Sequence, residues 1–238
     1  MNLPAQLRDK SLVYDLAARV ALAAWFGWHG GKIAVLVVPW VWTHDVTLLG
    51  TPDLVTLAAR SFQSLFMLSV AVAVLIRHRA TLSLPGLYPR VLAIGGTFAL
   101  AVLPALPGRA PSETLDLVSD TLMLCGCLIS LVALLWLGRS FSLVPQARRL
   151  ITTGPYRLVR HPIYLAEFVF AAGFVLQYRP WPAWVVFALL CAMQLERIRL
   201  EEQVLRDAFP EYSAYAGRTP MLLPWPRRSI SRRVVPGA

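Results

Sequence analysis

Two charged clusters hold the chemistry of this chain. The first is Gly154-Pro155-Tyr156-Arg157-Leu158-Val159-Arg160-His161-Pro162-Ile163-Tyr164, which runs into an apolar segment. The second, Glu196-Arg197-Ile198-Arg199-Leu200-Glu201-Glu202, ends the next apolar segment. Charges beside membrane-type segments are costly and tend to carry function. Gly154-Pro155 permits a sharp turn, and Pro162 suits the first turn of a following helix. Arg160-His161 then stands at that helix's N-terminus, where free backbone N–H groups favour an anion such as a carboxylate. Tyr156 and Tyr164 offer aromatic faces to a cation and hydroxyls for hydrogen bonds. A ligand with both a carboxylate and a cation fits this set; a basic loop with aromatic anchors is the plainer alternative. Arg197 and Glu201 fall on one helix face at i, i+4. Glu201 and Glu202 can neutralise the cationic connector or bind an ammonium or a ribose; a solvated charge run is the alternative there. The helix is expected to continue through Leu205 and Phe209 to Pro210, with Tyr212 and Tyr215 packing on the membrane interface.

The elements that must position these residues are apolar helices. The 238 residues are 57% hydrophobic, with mean hydropathy +0.57, against about 45–50% apolar for soluble domains. The runs predict spans near 12–42, 54–76, 91–106 and 114–137; at ~20 residues per crossing the first is long enough for one tilted span. The first is interrupted by His29-Gly30-Gly31-Lys32, and Asp15 and Arg19 can pair near its start. A connector, 140–160, follows the fourth. Two shorter apolar segments, near 163–178 and 183–195, read as a tight helical hairpin turned by Arg179-Pro180-Trp181-Pro182. The predicted fold is an all-α polytopic transmembrane bundle: about four spans, a C-terminal helical hairpin and a cytosolic C-terminal helix. One membrane domain is expected, with N-terminal spans at 1–137, a cofactor-binding region at 138–224 and a basic disordered tail at 225–238.

The net charge of +10 does not read as a nucleic-acid footprint, because the arginines sit in short loops between spans. Arg8, Lys10, Arg77, Arg79, Arg90, Arg139, Arg148, Arg149, Arg157, Arg160 and the tail fall on one side, and Arg109 and Arg179 on the other. The positive-inside rule then puts both termini in the cytoplasm, in what reads as a bacterial inner membrane. The polar start Met1–Lys10 does not read as a cleavable signal. Cys125, Cys127 and Cys191 lie in apolar runs without metal-ligand spacing, and no metal site is expected. No Gly-rich nucleotide loop, P-loop, HExxH or nucleophile elbow is present. Gly27 and Gly31 form a GxxxG that reads as helix packing. Lys32 has no assigned role.

An ordered set of local motifs carries a resemblance. It comprises Leu137-Gly138-Arg139-Ser140-Phe141-Ser142, Leu150 to Gly154-Pro155-Tyr156, Arg160-His161-Pro162-Ile163-Tyr164, Glu201-Glu202 and Phe209-Pro210-Glu211-Tyr212-Ser213-Ala214-Tyr215. Together they resemble the C-terminal half of the isoprenylcysteine carboxyl methyltransferase family and its phospholipid methyltransferase relatives, over about 137–224. The resemblance implies an integral-membrane enzyme using S-adenosylmethionine (SAM), held in a cytosolic-side pocket. It implies cofactor contacts from Gln146, Arg148, Arg149, Leu150, Ile151, Tyr156, His161, Pro162, Ile163, Tyr164 and Glu201, with Arg197 facing the acceptor. Two departures stand out: a connector between Gln146 and Leu150 shorter than in the eukaryotic enzymes, and Ala166 where the family often has glycine.

The expected function is therefore methyl transfer from SAM to a lipophilic acceptor that arrives from the bilayer, such as an isoprenylcysteine carboxylate or a phospholipid amine. A carboxylate or thiolate acceptor needs no base. An amine must lose a proton, for which Glu202 or Tyr164 would serve. A non-catalytic membrane sensor or assembly protein of the same fold, and a membrane lipid reductase, are the alternatives. The sequence sets neither the acceptor nor the oligomeric state.

Overall fold

The computed structural model describes residues 5–178 and 180–224. The expectations for the first four residues, for Arg179 and for the basic tail at 225–238 lie outside the described residues. Four long elements make the bundle: α1 (Ala5–Thr43), α2 (Thr51–Ile76), α3 (Tyr88–Phe98, continued by a 3-10 turn over Ala99–Ala105) and α4 (Glu113–Leu137). All four are long and apolar enough to cross a membrane, as the hydropathy runs predict. After them come the short α5 (Pro155–Leu158), α6 (Pro162–Val175), α7 (Pro180–Ala208) and α8 (Tyr212–Arg218). The architecture is an all-α membrane bundle.

Local chemistry explains the boundaries. Ser112 caps α4 through Leu115 N–H, and Glu113 and Asp116 in its first turn complement the helix dipole. The α4 end is set by Gly138 at φ 53°, a conformation that costs a side-chain-bearing residue more than glycine. Pro104 lies in the 3-10 continuation of α3, which fits its inability to donate in a regular helix. Pro162 stands in the first turn of α6, where the sequence places it.

α1 packs along α2, α2 along α4, α4 along α6, and α3 along α7. The hairpin expected from the two short apolar segments thus takes its main contacts from α4 and α3 rather than between its own arms. Two glycines allow this. A Cβ on Gly126 would stand 2.7 Å from the Phe170 backbone nitrogen, and one on Gly173 would stand 2.6 Å from the Ser119 carbonyl oxygen. Ser119 Oγ donates to the Gly173 carbonyl across the same seam at 2.8 Å. A Cβ on Gly27 or Gly31, the GxxxG assigned to packing, would meet nothing from another element within 4 Å. The residue between them does the packing: Gly30 sits against Leu68, Met67 and the Ser64 carbonyl, and Ser64 Oγ donates to the Gly30 carbonyl at 2.8 Å. His29–Lys32 therefore does not interrupt α1, and Lys32 is exposed on it.

The cations sort to two ends. At one, Asp15 receives Arg19 at 2.8 Å and Arg77 at 2.9 Å, and Arg139 Nε donates to the Ile76 carbonyl. At the other, Arg109 pairs with Asp116 and donates to the Leu176 carbonyl. Arg60, inside the second span, lines a polar recess there with Arg109, Asp116 and Asp120.

The connector is pinned at the basic end. A two-residue antiparallel pair joins β1 (Leu82–Ser83) to β2 (Gln146–Ala147), and Thr81 donates its N–H and its hydroxyl to the Ala147 carbonyl, each at 2.8 Å. Sequence periodicity did not predict this pair, since two residues carry no alternation.

Candidate functional site: a polar cavity at the basic end of the bundle

The connector between α4 and α6 turns twice. Gly154 has φ 58°, and a Cβ there would lie 2.2 Å from the Trp136 ring. Only glycine fits both the backbone and the indole. Trp136 Nε1 also donates to Thr153 Oγ1 at 3.0 Å, so the turn is fastened to the end of α4. Tyr156 follows on α5, buried, with its carbonyl accepting from Tyr215 Oη at 2.6 Å. Burial, followed by the nearby Glu201 charge and Tyr215, pushes the Tyr156 phenol well above its usual range.

These elements form a cavity, open to solvent, with about 840 Å³ of atom-free space including its mouth. Gln146, Arg148, Arg149, Leu150, Ile151, Tyr156, His161, Pro162, Ile163, Tyr164, Arg197 and Glu201 all line it. Glu202 is not among its lining residues. Residues from both charged clusters and from the connector at 140–160 are thus brought to one place.

Three groups along the wall differ in how their hydrogen bonds are spent. Arg148 Nη2 donates to Gln146 Oε1 at 2.6 Å, yet its buried Nε and Nη1 have no partner. Burial, then repulsion from Arg77 and Arg19, lowers the Arg148 guanidinium to about 10. It remains a cation at neutral pH with donors to spare. Tyr164 Oη donates to Glu201 Oε2 at 2.9 Å, leaving the other carboxylate oxygen for a ligand. Arg197 is 3% exposed. Its Nη1 donates to Gln194 Oε1 at 2.6 Å and its Nη2 to the Leu143 carbonyl at 2.8 Å, while its Nε is buried without a partner. Its guanidinium carbon stands 5.3 Å from the centre of the Tyr164 ring, a cation–π distance.

Glu202 takes one of the two roles the sequence offers it and neutralises the connector, through Arg160, which itself lines the cavity. The Arg160 guanidinium meets Glu202 Oε1 at 2.6 Å and donates to the carbonyls of Ala216 and Thr219. His161 Nε2 lies 3.2 Å from the same Glu202 oxygen, and Arg206 holds the other oxygen at 2.7 Å. Burial alone would raise the Glu202 carboxyl. The hydrogen bonds from His161 and Arg160, and their charge, outweigh it and hold the carboxyl at about 2. The backbone N–H groups of Arg160 and His161 donate to Pro220 and Met221. This set clamps the segment after α8 onto the start of α6, and Arg148 keeps buried donors that can meet an anion.

Tyr212 and Tyr215, read as interface packers, are 1% and 3% exposed and line the cavity. Burial is the first cause that raises the Tyr215 hydroxyl to about 12. Sequence reasoning also missed Glu167 and Gln194. Glu167 lines the cavity and accepts from Gln194 Nε2. The available signal was a lone carboxylate inside the apolar run that begins at Ile163.

A second cavity, mostly apolar and with about 760 Å³ of atom-free space including its opening, lies between the spans. Phe26, Phe66, Met67 and Phe170 are among its walls, and Phe141, Leu143, Ile163 and Glu167 line both cavities. Of those four shared residues, Glu167 alone carries a charge. Among the described residues no group of three or more His, Cys, Asp or Glu could hold a metal ion.

Comparison with known proteins points to one family. The model of the isoprenylcysteine carboxyl methyltransferase (ICMT) family matches residues 119–207. The cobalt-zinc-cadmium resistance protein CzcN of Cupriavidus metallidurans is 33% identical over 137 residues, 57% of this chain and 62% of the relative. The nickel-cobalt-cadmium resistance protein NccN of Alcaligenes xylosoxydans xylosoxydans is 34% identical over 113 residues, 47% of this chain and 52% of the relative. Protein-S-isoprenylcysteine O-methyltransferase B of Arabidopsis thaliana is 28% identical over 133 residues, 53% of this chain and 68% of the relative. The chain thus spans a little over half the length of the two resistance proteins that it matches.

Proposed function

We propose, from the match of residues 119–207 to the isoprenylcysteine carboxyl methyltransferase family, that the chain is a SAM-dependent methyltransferase of this family acting on a lipophilic acceptor at the membrane face. SAM carries a carboxylate, an ammonium and a sulfonium. The residues of the cavity fit these groups. Arg148 has two buried donors without partners, which suit the carboxylate. Glu201, oriented by Tyr164, suits the ammonium or the ribose hydroxyls. The rings of Tyr156 and Tyr164 suit the sulfonium face. Gln146 fixes Arg148, and the β1–β2 pair fixes Gln146. Arg149, Leu150, Ile151, His161, Pro162 and Ile163 complete the wall.

The observation that carries this reading is the junction of the two cavities. When bound, SAM supplies an electrophilic methyl group. The chain's own part is to hold that group at the polar cavity's inner end, where the apolar cavity begins. Holding two reactants in line and excluding water can supply about 7–11 kcal/mol of the barrier. Arg197, beside Tyr164 and bonded to Leu143, is assigned to orient the acceptor. Glu202 is assigned to position the connector, through Arg160 and His161, rather than to move a proton. Both termini are assigned to the cytoplasmic side of a bacterial inner membrane, from the split of cations between the two ends.

Calorimetry on detergent-purified full chain tests this. Saturable binding of SAM or of its demethylated product is expected. Folded protein that binds neither would sink the proposal.

A further inference from the structure

Glu167 sits where a transferred methyl group and an acceptor would meet. It lines both cavities. Its carboxylate accepts from Gln194 Nε2, and Gln194 Oε1 in turn accepts from Arg197 Nη1. Arg197 thereby fixes the amide so that its NH₂ faces Glu167. Gln194 has one principal acceptor and one principal donor face, and both are occupied. The remaining acceptor capacity of Glu167 therefore belongs to whatever fills the space beside it.

Across the apolar cavity stands Gln63, in the middle of α2. It is 9% exposed, lines the cavity and leaves its buried Oε1 without a partner. An unpaired amide within a membrane span is costly. Its place in an otherwise mostly apolar chamber marks a polar group on the occupant. The occupant's body must be apolar, to match Phe26, Phe66, Met67 and Phe170.

We propose that the acceptor is an apolar molecule bearing an uncharged X–H nucleophile (an amine, hydroxyl or thiol) rather than a carboxylate, and that Glu167 takes the proton. This deepens the methyltransferase reading and rests on it. A buried carboxylate at the junction repels a second carboxylate in low dielectric and attracts a hydrogen-bond donor. As the X lone pair forms the bond to the methyl carbon, the carbon–sulfur bonding pair leaves with the sulfur. The X–H proton passes to the Glu167 carboxylate. Charge balances: a cationic methyl donor and a carboxylate become a neutral thioether, a neutral methylated acceptor and a carboxylic acid.

The test uses full-length protein in nanodiscs, with the demethylated cofactor bound, and four probes on one dodecyl chain: dodecylamine, dodecanol, dodecanethiol and dodecanoate. Affinity is read for each probe, and methylation is read separately with SAM. At least one X–H probe is expected to bind about ten-fold or more tightly than dodecanoate, the scale of one charge-assisted hydrogen bond. Glu167→Gln, which keeps the volume, is expected to collapse that ratio by improving dodecanoate and weakening the X–H probe. Gln63→Leu is expected to weaken the X–H probe and leave affinity for the demethylated cofactor unchanged, which certifies the fold. Dodecanoate binding as tightly as every X–H probe, or a ratio unchanged in Glu167→Gln, overturns this inference while intact cofactor binding keeps the methyltransferase reading. Loss of cofactor binding by the wild-type protein overturns both.

Discussion

Arg160 and Glu202 form an ion pair at 2.6 Å with side chains only 9% and 8% exposed. They lie far apart in sequence, one before α6 and one on α7, and His161 and Arg206 close on the same carboxylate. The pair ties the entry of α6 to the C-terminal half of α7, and through Ala216 and Thr219 to the segment around α8. The cavity lies between these elements: Arg160 and His161 line it, while Glu202 and Arg206 hold them from outside the lining.

Removing one partner of a buried pair strands the other charge, at about 3–5 kcal/mol. Glu202→Ala should lower the melting temperature markedly. Protein that stays folded at low temperature should bind SAM nearly as the wild type does. A variant of unchanged melting temperature and abolished SAM affinity would return Glu202 to the binding site.

The same pair sets an acid limit. The Glu202 carboxyl is held at about 2 in the folded chain, below its ordinary value of 4.5. A lowered carboxyl pKa contributes stability that is fully present above about 4.5 and is lost as pH falls towards 2. Thermal melts of wild type should decline across that window, and the decline should be shallower in Glu202→Gln. Parallel curves for the two proteins would refute the assignment.

Arg148 offers the sharpest cofactor test. Its Nε and Nη1 are buried without partners, so the free protein leaves two donors unsatisfied there. Arg148→Gln should weaken SAM about ten- to hundred-fold, as expected for charge-assisted bonds of about 1.5–3 kcal/mol. Its melting temperature without ligand should stay the same or rise, because an unpaired buried cation has gone. Titration calorimetry and ligand-free melts on one preparation separate this from a structural role, in which stability would fall and affinity would hold.

Local signals were legible and non-local ones were not. Gly154-Pro155 and Pro162 fix backbone geometry by themselves, so the turn and the start of α6 follow from the residues. The spans follow from their apolar runs. The α4–α6 seam does not, because Gly126 and Gly173 are informative only once the two helices face each other. The same blindness made Gly27 and Gly31 look like a packing motif although Gly30 is the residue in contact. The β1–β2 pair is too short for any period. Glu167 was passed over because one carboxylate in an apolar run has no spacing to read; only its place between two cavities gives it meaning.

The glycine seam predicts a contrast within one residue type. Gly173→Ala would put a methyl 2.6 Å from the Ser119 carbonyl and 2.9 Å from Leu122 Cβ. Overpacking of this kind costs about 1–3 kcal/mol, and it would also strain the Ser119–Gly173 hydrogen bond. Gly31→Ala meets nothing within 4 Å and should leave the melting temperature unchanged. Equal melting temperatures for the two variants would mean that α4 and α6 are not in close backbone contact.

Arg197 is the last test, because its burial makes a plain loss of activity ambiguous. Its two Nη groups satisfy Gln194 and the Leu143 carbonyl, and its cation lies over Tyr164. Arg197→Ala strands both acceptors, each worth about 1–3 kcal/mol when buried and unpaired, so the variant should melt earlier. Arg197→Lys restores the charge but cannot bridge both acceptors, because an ammonium lacks the planar fork. If Arg197 orients the acceptor, the lysine variant should keep SAM affinity within about two-fold, well under the ten-fold that 1.4 kcal/mol would produce. It should also raise KM for the acceptor probe and lower kcat. If Arg197 only supports the fold, melting temperature should fall in both variants while KM and kcat of the folded fraction stay at wild-type values. Steady-state kinetics on the lysine variant, normalised to its SAM-binding fraction, distinguishes the two outcomes.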